Sequence, residues 1–586
     1  MSEDAAWRRR FRAAAVSLPA WARDAPDRLL FGSNESGRLE LHAWDRTSGR
    51  RRQVTSRPEG TSLGALDPSG RSIWWFDDER GNEAGTWRVE PFDGAAPARP
   101  AAPGVEAGFS TGLALGGGFA IVGTSTDRGS RIWLSTAEGA AEPLYAHRED
   151  ASVAGLSRDE RLLAFAHAEH GDSRHPALRV VDRSGQPVAD LWDGPGRALS
   201  AGAWSPVGGD ERLLVLREGT GMLRPAVWAP EAGIATDLPL DLPGEVRAEW
   251  YPDASALLLL HDHAGRRELF RYDLTADRLD RVDAPRGSVA AAAVRPDGRI
   301  WYQHSSGGTP PRLLDGGRTL LEPPGPPPPP GLAAYEDVRV GAIHGFLARP
   351  PGTGPQPTLV WVHGGPTSQD RDAWSPVVQA WVDHGFAVAL VNYRGSTGYG
   401  REWRDALEGN PGLTELEDVR AVRDHLVAAG VADPARLVLG GGSWGGYLTL
   451  LGLGLQPDAW SLGLALVPVA DYVAAYEDEM EPLKAFDRSL FGGAPAERPD
   501  FYRERSPITF VDRVRVPVFV TAGRNDPRCP IRQIENYLER LRELGLPHER
   551  YEFDAGHSSM VVEERVRQLE RQIDFVHRHL GTPAPL

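Results

Sequence analysis

The chain has 586 residues and carries 65 Lys and Arg against 81 Asp and Glu, a formal net charge of −16. That balance lacks the basic excess of a nucleic-acid binder. Its one cysteine, Cys529, excludes an intramolecular disulfide framework and a cysteine-type zinc site, and fits a reducing compartment.

At the N-terminus, Arg8, Arg9, Arg10 and Arg12 leave no apolar stretch long enough for a signal-peptide core. The expectation is a cytoplasmic protein, with residues 1–28 as a helical extension packed on another domain. No run of about 18 apolar residues occurs, so no membrane helix is expected.

From residue 29 to residue 322 short apolar runs alternate with turn clusters. Leu66-Asp67-Pro68-Ser69-Gly70 leads into Ile73-Trp74-Trp75-Phe76, Trp204-Ser205-Pro206 precedes Leu213 to Leu216, and Arg295-Pro296-Asp297-Gly298 precedes Ile300-Trp301-Tyr302. The regular period predicts a β-propeller of about seven blades and disfavours a pair of β-sandwiches. A proline run, 323–331, reads as a stiff exposed connector.

Over residues 332–586 strands alternate with helical stretches, the signal of a mostly parallel sheet covered on both faces. Strands are expected at Thr358–His363, Ala387–Asn392, Leu437–Gly440, Leu462–Val467, Val516–Thr521 and Arg550–Phe553. Helices are expected at Leu416–Ala429, Trp444–Leu453, Ile531–Leu544 and Val561–Leu580.

Gly441-Gly442-Ser443-Trp444-Gly445-Gly446-Tyr447 sits where one of those strands turns into a helix. Gly-x-Ser-x-Gly at such a corner is the nucleophile elbow of an α/β-hydrolase, and small neighbours let strand and helix approach. Gly108 to Gly112 also matches the pattern, but a Pro/Gly/Ala stretch precedes it, which assigns Ser110 to a loop.

A serine hydroxyl needs a base, and the base needs an orienting acid, in the order Ser, acid, His for this fold. Strand ends after Ser443 supply Asp526 and His557. Asp554 is the rival acid; His548 lies at the wrong strand end, and His577 falls within the last helix. The backbone amides of Trp444 and Gly365 are the expected oxyanion donors. The histidine clusters 167–170 and 261–263 lack the His-Glu-x-x-His pattern, so neither metal nor cofactor is expected.

Together, His363-Gly364-Gly365-Pro366, Asn392 to Gly400, the elbow, Asn525-Asp526-Pro527-Arg528 and Gly556-His557 resemble the prolyl oligopeptidase family of serine peptidases, its acylaminoacyl-peptidase branch most of all. The resemblance implies a propeller capping an α/β-hydrolase peptidase, with catalysis in the cavity between them. His363 departs from the tyrosine that several members place there, so the resemblance leaves the oxyanion to backbone donors. It also implies that Arg528 contacts a substrate carbonyl or carboxylate. Tyr476, Phe486 and Leu490 would line the pocket for the side chain before the scissile bond and favour hydrophobic residues; a plain amphipathic surface helix fits the same residues.

The implied substrates are short peptides, N-acylated ones first, with folded proteins excluded by the propeller. Dipeptidyl release, which needs acids to hold a free amine, and carboxypeptidase action, which needs arginines, stay open. An esterase using the same triad, and a propeller interaction protein with an inactive hydrolase domain, are the readings of other kinds. Neither nucleic acid nor membrane is an expected partner, and the oligomeric state is not legible.

Overall fold

In the computed structural model residues 5–136 and 140–581 are described. The ends of the predicted extension and catalytic segment, 1–4 and 582–586, lie outside them, as do residues 137–139. Among the described residues no helix is long and apolar enough to cross a membrane.

Helix α1 (Ala6–Arg12) opens the chain. Groups of four antiparallel strands follow, over residues 20–53, 64–100, 108–147, 151–191, 199–237, 245–282 and 288–321. The turn inside each unit explains its sequence. Asp67 accepts from the amides of Ser69 and Ser72 while Gly70 takes φ +67°, a conformation that glycine adopts without penalty.

Neighbouring groups share apolar clusters, such as Leu162, Leu178, Leu213 and Trp228 between the fourth and fifth. The first group packs on the last through Phe31, Trp44, Trp301 and Leu313, which closes the ring. This is propeller architecture, in which each sheet buries both faces against its neighbours. Ser110 corrects the loop expectation. It lies on strand Gly108–Leu115 opposite Thr124, because Phe109, Leu113 and Leu115 provide strand-forming residues that the preceding Pro/Gly/Ala stretch conceals.

The connector is exposed for the most part, but Pro329 is buried and the Pro330 carbonyl accepts from Arg10 at 3.0 Å. Beyond it an eight-stranded sheet forms from β1 (Glu336–Val340), β2 (Ile343–Ala348), β3 (Gln356–Val362), β4 (Ala387–Asn392), β5 (Ala432–Gly442), β6 (Leu462–Leu466), β7 (Val518–Gly523) and β8 (His548–Phe553). Its order is β1-β2-β4-β3-β5-β6-β7-β8, parallel from β4 to β8 and antiparallel where β2 meets β1 and β4.

The helices of this half are α2 (Pro376–Asp383), α3 (Arg401–Asp405), α4 (Leu413–Ala428), α5 (Trp444–Leu455), α6 (Tyr472–Asp478), α7 (Glu481–Phe491), α8 (Pro499–Arg505), α9 (Ile531–Glu543) and α10 (Val562–Leu580). Helix α5 is buried almost all round, as an apolar segment covered by sheet and helices must be. Helix α1 docks here: Trp7 and Phe11 enter the apolar layer beneath α2 and α10, while Arg8 pairs with Glu570 and Arg10 with Asp383.

The two halves meet through charges. Arg174 contacts Glu408 at 2.8 Å, Arg266 contacts Asp372 at 3.0 Å and Asp337 at 2.8 Å, Glu149 contacts Arg488 at 3.3 Å, and Arg404 pairs with Glu218.

Candidate active site

Ser443 stands between β5 and α5 with φ +57° and ψ −120°, a strained backbone for a residue with a side chain. The neighbouring glycines have a steric reason. A Cβ on Gly445 would lie 2.0 Å from the Val362 carbonyl oxygen, and one on Gly441 2.4 Å from it, so β3 could not pass the elbow if either were larger.

Asp526 follows the C-terminal end of β7 and His557 that of β8. The His557 Nδ1–H donates to Asp526 Oδ2 at 2.8 Å, and the amides of Arg528 and Cys529 donate to Oδ1 at 2.8 and 3.0 Å. Asp526 is thereby buried with both oxygens engaged, so its carboxylate is fixed toward the imidazole. Asp554, the rival, is exposed and 3.4 Å from Asn525 Nδ2.

Trp444 is the first residue of α5, where amides have no intrahelical acceptor. Opposite it runs the loop after β3. A Cβ on Gly364 would sit 3.2 Å from Ser443 Cβ, which places Gly364 and Gly365 beside the nucleophile position.

His363 itself turns away. Its Nδ1–H donates to the Gly364 carbonyl at 2.8 Å, the Ser396 hydroxyl meets Nε2 at 2.8 Å, and Tyr393 stacks on the ring at 4.3 Å. Burial pushes its pKa down to about 4, so it is a neutral strut beneath the loop.

Arg528 is 47% exposed at its side chain and pairs with Glu83 of the propeller at 2.8 Å. Tyr476 Oη accepts from Arg488 at 3.3 Å, and Phe486 lies under the Arg174 guanidinium at 6.0 Å. Leu490 packs inside the main apolar core with Phe491 and Tyr472, which corrects its reading as a pocket residue: its position on α7 faces the core.

Several participants were not named from the sequence. Glu415 is buried beneath the elbow, where Oε1 accepts from Trp444 Nε1 at 3.2 Å and Oε2 from the Gly412 amide at 2.7 Å; burial pushes its pKa up to about 8. The propeller loop 78–83 lies on the His557 loop, with Gly81 against Gly556 and the Arg80 carbonyl 3.5 Å from Asn525 Nδ2. A cavity of about 300 Å³ opens there, lined by Glu59, Asp78, Glu83, Phe109, Arg528 and His557. Burial raises the carboxyl pKa of both Glu59 and Asp78.

Two donor clusters have metal-like spacing among the described residues, Asp526–Cys529–His557 and His175–Asp405–Glu408. In the second, Arg174 and Arg404 already balance the carboxylates.

Comparison with known proteins places this arrangement. Residues 373–583 match the prolyl oligopeptidase family. The acylamino-acid-releasing enzyme of Rattus norvegicus is 30% identical over 254 residues, covering 42% of this chain and 35% of that protein. The dipeptidyl peptidase family member 6 of Caenorhabditis elegans is 29% identical over 234 residues, covering 39% and 32%. The chain thus spans about a third of the length of these curated relatives. A crystal structure of puromycin hydrolase superposes over 100% of this chain and 98% of its own with a TM-score of 0.85 at 25% identity. The family match runs from the loop after β3 through α10, so residues 373–583 carry a prolyl oligopeptidase family domain.

Proposed function

We propose that the protein hydrolyses short peptides from their N-terminal end through an acyl-enzyme on Ser443. His557 takes the serine proton and returns it to the leaving amine, Asp526 holds the imidazole, and the amides of Trp444 and Gly365 receive the oxyanion. The propeller, read as seven blades from its seven four-strand groups among the described residues, covers the site and excludes folded chains.

The observation that carries the choice of peptide end is the cavity beside His557. It presents Glu59, Asp78 and Glu83, and its one arginine, Arg528, is occupied by Glu83. Desolvated carboxyls gain most when a cation arrives. A free α-amine is such a cation, whereas an acylated terminus has no charge to offer, so the geometry supports an aminopeptidase or dipeptidyl-peptidase mode over the acylaminoacyl mode expected first. The acylaminoacyl mode is the second reading, supported by the relative named as an acylamino-acid-releasing enzyme.

Matched peptides with a free N-terminus, an acetylated N-terminus or an amidated C-terminus separate these readings, with Ser443→Ala as control. Free peptides should be hydrolysed best. A preference for acetylated peptides overturns the amine reading, loss on C-terminal amidation alone selects carboxypeptidase action, and full activity in Ser443→Ala rejects the mechanism.

A further inference from the structure

One stripe of α10 carries polar residues where a helix covering a sheet ordinarily carries apolar ones. Arg565, Gln568, Leu569 and Gln572 fall at helical spacing on one side, and all four line a cavity of about 230 Å³ beside His557. Phe11 of α1, Trp361 of β3, Leu466 of β6 and Phe553 of β8 supply its apolar wall.

Three polar groups in this cavity lack partners among the described residues. Gln572 is 4% exposed and its side chain makes no hydrogen bond, and the Thr521 hydroxyl is enclosed without a partner. The Arg565 guanidinium makes neither an ion pair nor a hydrogen bond; it lies over the Phe11 ring at 5.6 Å. The acids nearest it along α10 are committed: Glu563 to Arg12 at 2.6 Å, Glu564 to Arg567 at 2.7 Å, and Glu570 to Arg8. The surrounding protein lowers the Arg565 pKa, the direction that desolvation imposes on a cation without a counter-charge.

The dimensions and chemistry of the cavity limit its ligand. A cavity of ~150 Å³ takes benzene, so about nine non-hydrogen atoms fit here. A cation beside an apolar wall selects a small anion with a short hydrocarbon body. The guanidinium matches a carboxylate with paired N–H groups, and the Gln572 amide offers a further donor. A free amino acid brings an ammonium that Arg565 repels, and inorganic phosphate has no body to cover the wall.

His557 and Ser558 also line the acidic cavity on the propeller side, so the base stands between two chambers. His557 faces Asp526 at 2.8 Å and, across the acidic cavity, Glu59, Asp78, Glu83 and Arg528. A carboxylate added on the α10 side favours the imidazolium, which cannot accept the serine proton.

We propose that this cavity is a second site, for a monocarboxylate of about four to six carbons held by Arg565 and Gln572, whose binding slows turnover without filling the peptide's place. The site is independent of which peptide end the enzyme reads.

Titration calorimetry of the full chain with hexanoate, hexanol, hexylamine and phosphate reads binding without any substrate. Hexanoate should bind at least about tenfold more tightly than the other three, and Arg565→Met and Gln572→Leu should each weaken it by about tenfold or more. Arg571→Met, which removes an exposed arginine of α10 outside the cavity, should bind hexanoate as the natural protein does. With a peptide amide that the protein cleaves, hexanoate should lower kcat and leave KM within about twofold. If a variant does not fold, a melting temperature raised by hexanoate and not by hexanol in the natural protein reads the same selectivity. No binding of hexanoate, equal binding of hexanol or phosphate, undiminished binding in Arg565→Met, or competition with the peptide overturns the proposal and leaves the peptidase reading standing. Failure to hydrolyse any peptide rejects that reading, while the calorimetry still decides the site.

Discussion

Gly556→Ala tests whether the propeller positions the general base. A Cβ at residue 556 would fall 1.8 Å from the Gly81 carbonyl oxygen and 2.7 Å from its carbon. Carbon and carbonyl oxygen settle near ~3.3 Å, so the two loops must part by roughly 1.5 Å. If the propeller loop yields, the Asn525–Arg80 and Arg528–Glu83 contacts open. If the catalytic loop yields, His557 is drawn from its 2.8 Å contact with Asp526. A misplacement of this size costs about a hundredfold in rate, and overpacking costs about 1–3 kcal/mol of stability. The assay is kcat/KM on a free-amine peptide amide, with active serine titrated by a fluorophosphonate so that misfolded protein is not counted. Gly208→Ala is the control, because a Cβ there meets nothing within 4 Å. Wild-type kcat/KM and melting temperature in Gly556→Ala would refute the claim that this contact holds the site.

Asp526→Asn should lower kcat by about 10⁴-fold with a smaller change in KM, since the amide cannot hold the imidazole in the acceptor form toward Ser443; pre-steady-state acylation checks it. A double-mutant cycle of Glu83→Gln and Arg528→Met should show coupling of about 1 kcal/mol or less in kcat/KM, because the arginine is half exposed and screened, and the coupling should fade in high salt. Glu415→Gln tests the buried carboxyl under Trp444. Its folded pKa of about 8 exceeds the ordinary 4.5, so between those values the native state binds more protons than the unfolded one and stability falls as pH rises, by up to roughly 5 kcal/mol. Melting curves at pH 5 and pH 8 should show that loss in the natural protein and a smaller one in the variant.

What was legible in the sequence had local causes. The elbow is written in glycines because β3 passes within 2.0–2.4 Å of the Cβ positions at Gly445 and Gly441. At Asp67-Pro68-Ser69-Gly70 the propeller period is written in a turn whose aspartate satisfies its own amides. Strand β1 escaped because a half-exposed antiparallel edge of sequence Glu-Asp-Val-Arg-Val shows little apolar signal. The run Glu477-Asp478-Glu479 belongs to the segment around Tyr476 and Phe486 that fits a plain amphipathic surface helix. Glu479 is buried because α6 ends at Asp478 and the Glu479 amide returns to the Ala475 carbonyl, which turns the last acid inward. Nothing in a one-dimensional pattern could bring Gly81 to Gly556 or Glu83 to Arg528, since those contacts join residues 445 or more positions apart across two domains.

Arg528 resolves a conflict between the resemblance and the cavity. An unpaired arginine beside His557 would repel an incoming amine and attract a carboxylate, which favours reading the C-terminal end of a peptide. Paired with Glu83, it contributes no net charge, and the carboxyls of Glu59 and Asp78 set the sign of the cavity. The pairing residue comes from the propeller, while the arginine comes from the loop that carries Asp526. The fold that supplies the nucleophile is therefore insufficient to decide which end of a peptide is read. Removing Glu83 should move the preference toward substrates bearing a free carboxylate, while Ser443, Asp526 and His557 remain as they are.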